Sequence, residues 1–510
     1  MRSKRAFVNI IATLMLQFTT IICGFIVPSL IIGTYGSSVN GLITSINQFL
    51  GFIVLLESGI GGVVRSALYN PLANKDYRAI SGIIKATERF YRLIAVMFIG
   101  YLIIVTLFFP MLVKNEFSSI YTATLIFIIG ISTFIQYYYG ISYQLLLQSD
   151  QKRYITSYLQ LFTIIINTIL TVLLIKYGAS IHIVKLVSAI IFIFRPIILF
   201  IYVNRRYKIN KESAAFTTKI AQKWDGLGHH IAYFLHSHTD VMLLTLFTNV
   251  REISVYSIYY LVVTGIKSIV ITFSSGVEAA FGNMLAKDEK ETLRKNFGAY
   301  ELFSFTLTTI LFTSTALLIL PFIKVYTKGV LDVNYYRPLF AYILVVAHAI
   351  YCIRLPYHYV TLAAGHFKQT RNGAFIEAGI NLFISAALVT KLGLVGVAVG
   401  TLCSVLFRTV QYAFYLSKNI INRSIFVFIK RCILSALSAL IIIIISKVIP
   451  AFNIDSYIMW VISGLIIFIL SLIVTTIFNF LFFREDFVTI YKIIKRILKK
   501  DKQKLKIIKS

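Results

Sequence analysis

Residues 166–178 read INTILTVLLIKYG, and the motif IFRP follows at residues 193–196. Later in the chain, residues 380–393 read INLFISAALVTKLG, and LFRT follows at residues 406–409. Asn167 thus matches Asn381, Lys176 matches Lys391 and Arg195 matches Arg408, with an offset that stays between 213 and 215. An ordered set of matches at a nearly constant offset, here called the repeat offset, indicates an internal duplication of the chain.

The duplication extends beyond these motifs. Tyr143 and Tyr357, which precede them, keep the repeat offset. A shift of this size carries the fifth long apolar run of the chain onto the eleventh, and the sixth onto the twelfth, with the same predicted orientation. We therefore predict two parallel repeats related by an axis along the membrane normal, an arrangement that builds transporters with a site at the repeat interface.

The composition is typical of an integral membrane protein. Hydrophobic residues make up 58% of the 510 residues, charged residues make up only 14%, and the mean hydropathy is +0.81. Soluble domains carry about a quarter charged residues, so this chain has too few to cover an aqueous surface. The four cysteines lack CxxC spacing and lie in or beside apolar runs, which indicates neither a disulfide framework nor a metal site.

Fourteen apolar runs approach or exceed the length of about 20 residues that a spanning helix needs. They are residues 6–32, 42–68, 90–113, 120–147, 154–176, 183–203, 225–249, 255–281, 297–320, 338–364, 372–390, 394–416, 427–449 and 456–482. We therefore predict an all-α polytopic membrane protein of about fourteen spans. It has an N-lobe at 1–224, a C-lobe at 225–420, two appended helices at 421–482 and a basic amphipathic tail at 483–510.

The charges of the chain predict its orientation. Fifty Lys and Arg residues face 20 Asp and Glu residues, a formal net charge of +30. With the N-terminus inside, the predicted inner segments hold 36 of these cations and the outer loops with the adjoining span ends hold nine. By the positive-inside rule both termini are cytoplasmic. The charge therefore does not indicate a nucleic-acid partner, and we expect the tail to bind anionic lipids of the inner leaflet.

Five cations lie inside the predicted spans, where a charge costs at least about 2.5–3.5 kcal/mol on insertion scales. They are Arg65, Arg195, Lys267, Arg354 and Arg408. Arg65 is close enough to the inner end of its span to snorkel. Arg195 and Arg408 either face a central cavity or pair with a carboxylate or with carbonyl groups at a helix C-terminus. Lys267 and Arg354 lie too deep to snorkel easily. We predict that these cations line a central cationic cavity.

Acidic residues within the spans are fewer. Glu57 and Asp240 lie deep and are candidates for coupling or ion pairing, whereas Glu278 and Glu377 lie near predicted inner ends, where solvation or helix capping is expected. The resulting net positive interior favours an anionic substrate. His236 and Asp240 share a helix face and form either a proton-coupling pair or a structural hydrogen bond. No metal site or cofactor is predicted, because no HExxH or comparable motif occurs.

The chain resembles a polysaccharide-type flippase of the multidrug/oligosaccharidyl-lipid/polysaccharide exporter superfamily. The resemblance rests on GSSVNGL at 36–42, LESGIG at 56–61 followed by Arg65, TDV at 239–241, VYSIY at 255–259 and the region of Asn381 and Lys391. It implies movement of an undecaprenyl-linked oligosaccharide to the outer leaflet for capsule, exopolysaccharide or wall polymer. It also implies that the five intramembrane cations correspond, by span and depth, to the cavity cations of the family.

The resemblance also implies a setting and leaves rivals open. It implies a multi-pass protein of the bacterial cytoplasmic membrane that is not an enzyme and serves a polysaccharide polymerase and glycosyltransferases. The two repeats form an internal pseudo-dimer, so we expect that a monomer suffices. A lipid II flippase shares the same plan. A multidrug exporter of the superfamily usually has twelve spans and acids in its cavity. A membrane glycosyltransferase or polymerase is disfavoured, because it needs a substantial outer loop and the predicted loops are short.

Overall fold

A computed structural model of the chain describes residues 2–57, 60–207, 223–275, 277–448, 454–492 and 495. Its regular elements in this part of the chain are helical. They are α1 (Arg2–Tyr35), α2 (Ser37–Leu50), α3 (Val54–Glu57), α4 (Ile60–Asn74), α5 (Tyr77–Leu112), α6 (Ser119–Ile135), α7 (Ile141–Ser149), α8 (Arg153–Lys176), α9 (Ile181–Tyr207), α10 (Lys223–Phe247), α11 (Val250–Ser275), α12 (Glu278–Ala286), α13 (Lys290–Tyr326), α14 (Pro338–Ala363), α15 (Phe367–Leu392), α16 (Leu394–Asn419), α17 (Phe426–Val448) and α18 (Tyr457–Phe482).

Thirteen stretches of these helices are long and apolar enough to cross a membrane. A 3₁₀ turn at Gly51–Ile53 continues α2 into α3, and a π-helical turn at Gln136–Gly140 continues α6 into α7. The predicted seventh span corresponds to α10, within which the described residues contribute a shorter apolar helix, His238–Phe247. The all-α polytopic fold is thus confirmed, with thirteen qualifying spans in the described residues where the sequence predicts about fourteen.

The helix boundaries repeat along the chain at the offset found in the sequence. Helix α2 begins one repeat offset before α11, and the same relation holds for α5 with α13, α8 with α15 and α9 with α16. The offset is therefore kept by helices well outside the matching motifs, which indicates that the duplication covers most of the two repeats.

One polar side-chain contact is duplicated as well. Tyr143 donates a hydrogen bond of 2.6 Å to Glu88 Oε1, and Tyr357 donates one to Glu301 Oε1. The repeat offset relates the two tyrosines to each other, and it also relates the two glutamates. The matching tyrosines of the sequence therefore hold equivalent positions with equivalent partners.

By its internal contacts the chain divides into two compact units. Unit 1 comprises Met1–Ser257 and Gly329–Val333, and unit 2 comprises Ile258–Lys328 and Asn334–Ser510. The division falls within α11, past the predicted lobe boundary between residues 224 and 225. The lobes stay a prediction from the repeat.

In unit 1, α2 packs closely against the start of α11. A Cβ atom on Gly41 would lie 1.7 Å from the carbonyl oxygen of Val250, so only glycine fits there. Beside it, the Asn40 side-chain amide donates to Ser254 Oγ at 2.8 Å and to Ser257 Oγ at 3.1 Å. Small residues let membrane helices approach closely, and buried polar groups between them hydrogen-bond across the contact.

Unit 2 contains a buried ion network beside the first third of α13. Glu301, which is fully buried, accepts hydrogen bonds from Arg423 at 2.6 and 2.8 Å and lies 3.3 Å from Arg431 Nε. Arg431 also pairs with Asp486 at 2.5 Å, in a helical segment at residues 484–492 that follows α18. Two acids thus face two arginines, and the network fastens the start of the tail to α13 and α17.

Two groups of this network outside the spans have displaced pKa values. Burial raises the pKa of Asp486, and the opposing effect of Arg431 is smaller. Burial acts to lower the pKa of Arg423, but the hydrogen bonds and charge of Glu301 raise it above its ordinary value. The predicted amphipathic tail at residues 493–494 and 496–510 lies outside the described residues, so its lipid contact stays a prediction.

We expect Gly41→Ala to destabilise the protein by about 1–3 kcal/mol, because the added methyl group overpacks a helix contact that involves backbone atoms. The measurement is the unfolding temperature in detergent. The matched control is Gly33→Ala in α1, where an added Cβ meets no atom within 4 Å. Equal unfolding temperatures for the two variants would contradict the close contact of α2 with α11.

Candidate functional site

Three of the five predicted cations lie close together in unit 2. Lys267 Nζ lies 3.9 Å from the centre of the Tyr351 ring, and the guanidinium carbon of Arg354 lies 4.4 Å from the same centre. Helix α11 supplies Lys267, while α14 supplies Tyr351 and Arg354, which are three residues apart and share a face. One aromatic ring therefore holds two cations by cation–π attraction.

The carboxylate of Glu377 connects Arg354 to Arg408. Arg354 Nη1 donates to Glu377 Oε1 at 2.6 Å, and Arg408 Nε lies 3.5 Å from Glu377 Oε2. The exposed fractions of Arg354, Arg408 and Glu377 are 6%, 2% and 8%. We call Lys267, Arg354, Arg408 and Glu377 the cation cluster. It contains three positive groups and one negative group.

Arg408 is held by further contacts besides Glu377. Its Nη1 donates to the carbonyl oxygen of Thr370 at 2.9 Å and to Gln411 Oε1 at 2.5 Å, and its Nη2 donates to the Tyr412 hydroxyl at 2.9 Å. A Cβ atom on Gly373 would lie 2.2 Å from Arg408 Nη1 and 1.8 Å from Gln411 Oε1. The glycine thus makes room on α15 for the guanidinium group.

The expectation that Glu377 is solvated or caps a helix is wrong. Helix α15 begins at Phe367, so Glu377 lies ten residues inside it, at about 15 Å of helix rise, and is buried against two arginines. A further acid that the sequence analysis does not single out, Glu301, is fully buried in α13. Both acids compensate neighbouring arginines.

Arg195 occupies the place in the first repeat that Arg408 occupies in the second, but its environment differs. It is half-buried in α9, on the face of the helix that carries the buried Leu199. Within the described ranges no hydrogen bond or ion pair reaches its guanidinium group. Thr163, one repeat offset before Glu377, stands where the second repeat has the acid. This substitution explains why Arg195 lacks a carboxylate partner.

Arg65 and Glu57 lie near each other in unit 1. Arg65 Nη1 donates to Gln148 Oε1 at 3.2 Å, and Glu57 accepts a hydrogen bond from Tyr137. Tyr91 interacts electrostatically with both Glu57 and Arg65. The structure therefore brings two predicted site residues of opposite charge into one neighbourhood of unit 1, whereas the cation cluster belongs to unit 2.

Asp240 is buried and accepts a hydrogen bond of 3.0 Å from the Tyr256 hydroxyl. The side chain of its predicted partner, His236, lies outside the described residues, so that pairing stays a prediction. His238, in the same helix, stacks on Phe234 with ring centroids 3.9 Å apart. In the described part of the chain no group of three His, Cys, Asp or Glu residues could hold a metal ion.

Sequence reasoning did not identify Tyr351, Gln411 and Glu377 as members of this site. The sequence spacing could have identified two of them. Tyr351 lies three residues before Arg354 and Gln411 lies three residues after Arg408, and residues three apart in a helix share a face. Glu377 has no such signal. Its role follows from how far α15 extends beyond the apolar run.

No family model matches the sequence, and no curated protein matches it. The fold does match solved structures. The lipid II flippase MurJ in an inward closed conformation matches with a TM-score of 0.67 and 17% identity, over 94% of this chain and 99% of that one. An inward-facing multidrug resistance MATE transporter of the MOP superfamily matches at 0.62 and 12%, over 80% and 98%. A Vibrio cholerae MATE transporter matches at 0.55 and 16%, over 83% and 99%. At these identities the likeness shows a shared polytopic fold.

We expect Tyr351→Leu to destabilise the protein by about 1–2 kcal/mol, because it removes the ring on which two cations lie, one of them buried. Tyr351→Phe keeps the ring and should cost less. The measurement is the unfolding temperature of each variant in detergent. A larger loss for the phenylalanine variant would contradict the cation–π arrangement.

Proposed function

We propose that this chain is a transporter that moves an undecaprenyl-(pyro)phosphate-linked oligosaccharide from the inner to the outer leaflet of the bacterial cytoplasmic membrane. The repeat unit would serve the assembly of capsule, exopolysaccharide or another wall polymer. The termini would be cytoplasmic, and the two six-span lobes at 1–224 and 225–420 would rock about each other. The chain itself would perform no covalent chemistry.

The cation cluster carries this proposal. Arg354 and Arg408 share the one carboxylate of Glu377, which leaves a formal excess of one positive charge between them, and Lys267 lies beside them on the Tyr351 ring. A charge among membrane helices is costly unless it faces water or a counter-ion, so the excess positive charge of the cation cluster favours an anionic ligand. Arg195 has no carboxylate partner among the described residues. It therefore adds a cation outside the cluster that a phosphate group can bind.

The arginines of the site suit the task of moving a diphosphate-linked sugar across the membrane. A sugar chain on a diphosphate cannot cross hydrocarbon unaided, because each unsatisfied polar group costs several kcal/mol there. Guanidinium groups bind phosphate oxygens with two parallel hydrogen bonds, which suits them to the head group. The polyprenyl chain can remain in lipid while the head group moves between the lobes. Inner-leaflet anionic lipids, a polymerase and glycosyltransferases would be its partners, and one copy would suffice.

Alternating access also requires a contact that opens. The Asn40 hydrogen bonds to Ser254 and Ser257 hold α2 against α11 near the predicted outer ends of both helices. We infer that this contact is closed in the inward-facing state and separates when the outer side opens.

A lipid II flippase is the second candidate. The fold of MurJ matches over 94% of this chain, whereas the MATE transporters reported above match over 80% and 83%. Lipid II also presents a polyprenyl diphosphate with sugars, so the cation cluster serves it equally well. Multidrug export fits less well, because the cluster is cationic.

We expect the double variant Arg195→Gln and Arg408→Gln to lower transport roughly tenfold or more, because it removes matching cations from both repeats. The measurement is flipping of fluorescent undecaprenyl-diphosphate oligosaccharide in proteoliposomes, with fluorescent lipid II as the second arm. Arg294→Gln, at an exposed position at the start of α13, is the control. Transport by the double variant at the rate of the control would contradict the proposal, and faster flipping of lipid II would favour the second candidate.

Gly373→Ala should weaken binding of undecaprenyl diphosphate roughly tenfold, because the new methyl group displaces Arg408 and breaks a charge-assisted hydrogen bond worth about 1.5 kcal/mol. Gly379→Ala is the matched control on the same helix, since an added Cβ there meets no atom within 4 Å. Titration of the purified variants measures both affinities. Equal affinities would show that the position of Arg408 does not matter for binding.

A further inference from the structure

Helix α2 does not cap its own N-terminus. It begins at Ser37, and Gly36 before it has no side chain to accept a hydrogen bond from the first turn. Other helices cap themselves, since the side chains of Asp76, Ser118 and Ser456 accept from backbone N–H groups at the starts of α5, α6 and α18. The first N–H groups of a helix have no intrahelical partner. The start of α2 therefore needs an acceptor from elsewhere in the chain.

The second repeat shows what the first one lacks. One repeat offset after Gly36 stands Asn249, directly before α11. Its Oδ1 accepts a hydrogen bond of 3.0 Å from the N–H of Glu252, in the first turn of α11. Asparagine is among the preferred capping residues, whereas glycine offers no side-chain acceptor. Of the two equivalent helices, α11 thus carries its own cap and α2 does not.

Asp332, in the turn between α13 and α14, supplies the missing acceptor. Its Oδ2 accepts a hydrogen bond of 2.7 Å from the Ser37 N–H, and its Oδ1 accepts one of 2.7 Å from the Ser37 hydroxyl. A Cβ atom on Gly36 would lie 3.2 Å from Asp332 Oδ2, so the glycine leaves room for the carboxylate. A negative charge at a helix N-terminus is also attracted by the helix dipole. Because 295 positions separate the partners, this cap exists only while the turn lies on α2.

The segment that carries Asp332 is short and is fixed again three residues later. Residues Gly329–Val333 group with unit 1, although α13 and α14 on either side belong to unit 2. The Tyr259 hydroxyl of α11 donates a hydrogen bond of 2.8 Å to the carbonyl oxygen of Tyr335. The three residues from Asp332 to Tyr335 span at most about 10 Å. So short a segment cannot follow a large separation of α2 from α11 with both contacts intact.

Of these two contacts, that of Asp332 is the easier one to open. Tyr259 is fully buried, and its hydroxyl also accepts a hydrogen bond of 3.1 Å from the Arg337 N–H. Asp332 is exposed, so water solvates its carboxylate as soon as it leaves α2. A buried polar group that loses its partner costs more free energy than one that water can reach. Separation of the helices therefore breaks the Asp332 contact first.

A second carboxylate would stay with α2 after this separation. Ser38 donates a hydrogen bond of 2.7 Å to Glu116 Oε2 and accepts one of 3.0 Å from Arg251 Nε. Glu116 precedes α6 and belongs to the same predicted lobe as α2, whereas Arg251 and Asp332 come from the second repeat. Opening therefore removes the partners from the second repeat and leaves Glu116 beside the first turn of α2.

We propose that Asp332 is the latch of the outer side. Its carboxylate caps α2 while the contact of Asn40 with Ser254 is closed, and it leaves α2 when the outer side opens. The inference rests on the alternating access of the proposed function and deepens it, because it names a residue that controls opening rather than ligand binding.

The test measures opening without any ligand, in the full-length protein in detergent. The reporter is Ser45→Cys, with the four native cysteines replaced by alanine, and the readout is its rate of labelling by a maleimide. Ser45 is fully buried and its hydroxyl lies 2.5 Å from that of Thr245 in α10, so labelling requires α2 to separate. Asp332→Ala should raise the rate roughly fivefold, which is the factor that one helix cap contributes to an equilibrium.

The matched control is Asp455→Ala. Asp455 is also an exposed carboxylate at a predicted outer loop, and it pairs with Lys324 at 3.0 Å instead of with α2. It should leave the labelling rate unchanged. If Asp332→Ala does not fold, Ser37→Ala decides the matter, since it removes one of the two hydrogen bonds to Asp332 and should raise the rate about twofold.

The outcomes separate the latch from the proposed function. Equal labelling rates with and without Asp332, or a lower unfolding temperature with no change in labelling, would overturn the latch and assign Asp332 a merely structural cap. Failure of the wild-type protein to flip either fluorescent lipid would overturn the proposed function, while faster labelling of Asp332→Ala would still uphold the latch.

Discussion

A charged side chain among membrane helices must find an opposite charge, an aromatic face, water or a ligand, because hydrocarbon offers none of these. The chain meets this constraint in three ways. Glu301 and Asp486 balance Arg423 and Arg431 completely. Glu377 balances its neighbours only in part. In the described structure Arg195 has no such partner. The first arrangement holds helices together, and the other two leave positive charge to act on something else.

The two repeats share scaffold contacts but differ in the charges that they carry within the membrane helices. Shared positions keep scaffold contacts, such as the hydrogen bonds of Tyr143 to Glu88 and Tyr357 to Glu301. Three charges of the cluster, those of Lys267, Arg354 and Glu377, have no charged counterparts in the first repeat, because the residues one repeat offset before them are uncharged. These residues are Ile53, Gly140 and Thr163. Arginine at positions 195 and 408 is common to both copies. The second copy thus carries two further cations and an acid beside an arginine that both copies share.

Composition and the repeat predicted the helical fold and the presence of intramembrane cations, because both depend on sequence averages over whole spans. The partners of those cations could not be predicted in the same way. Hydropathy ends a span where polar residues begin, yet α15 continues through polar residues to Phe367, which moves Glu377 into the helix interior. Which acid meets which arginine depends on how the consecutive helices α14, α15 and α16 are rotated against one another, and no local pattern encodes this rotation.

The contact of Asn40 with Ser254 has a consequence for the history of the chain. The two residues are separated by the same offset that relates the repeats, so a position touches its own duplicate. Residues related by a two-fold rotation meet in this way only on the rotation axis. Before fusion joined the copies, one gene product would have bound itself side by side through this residue. In a single fused chain the two positions need not be identical, and here the Asn40 amide donates to the Ser254 hydroxyl.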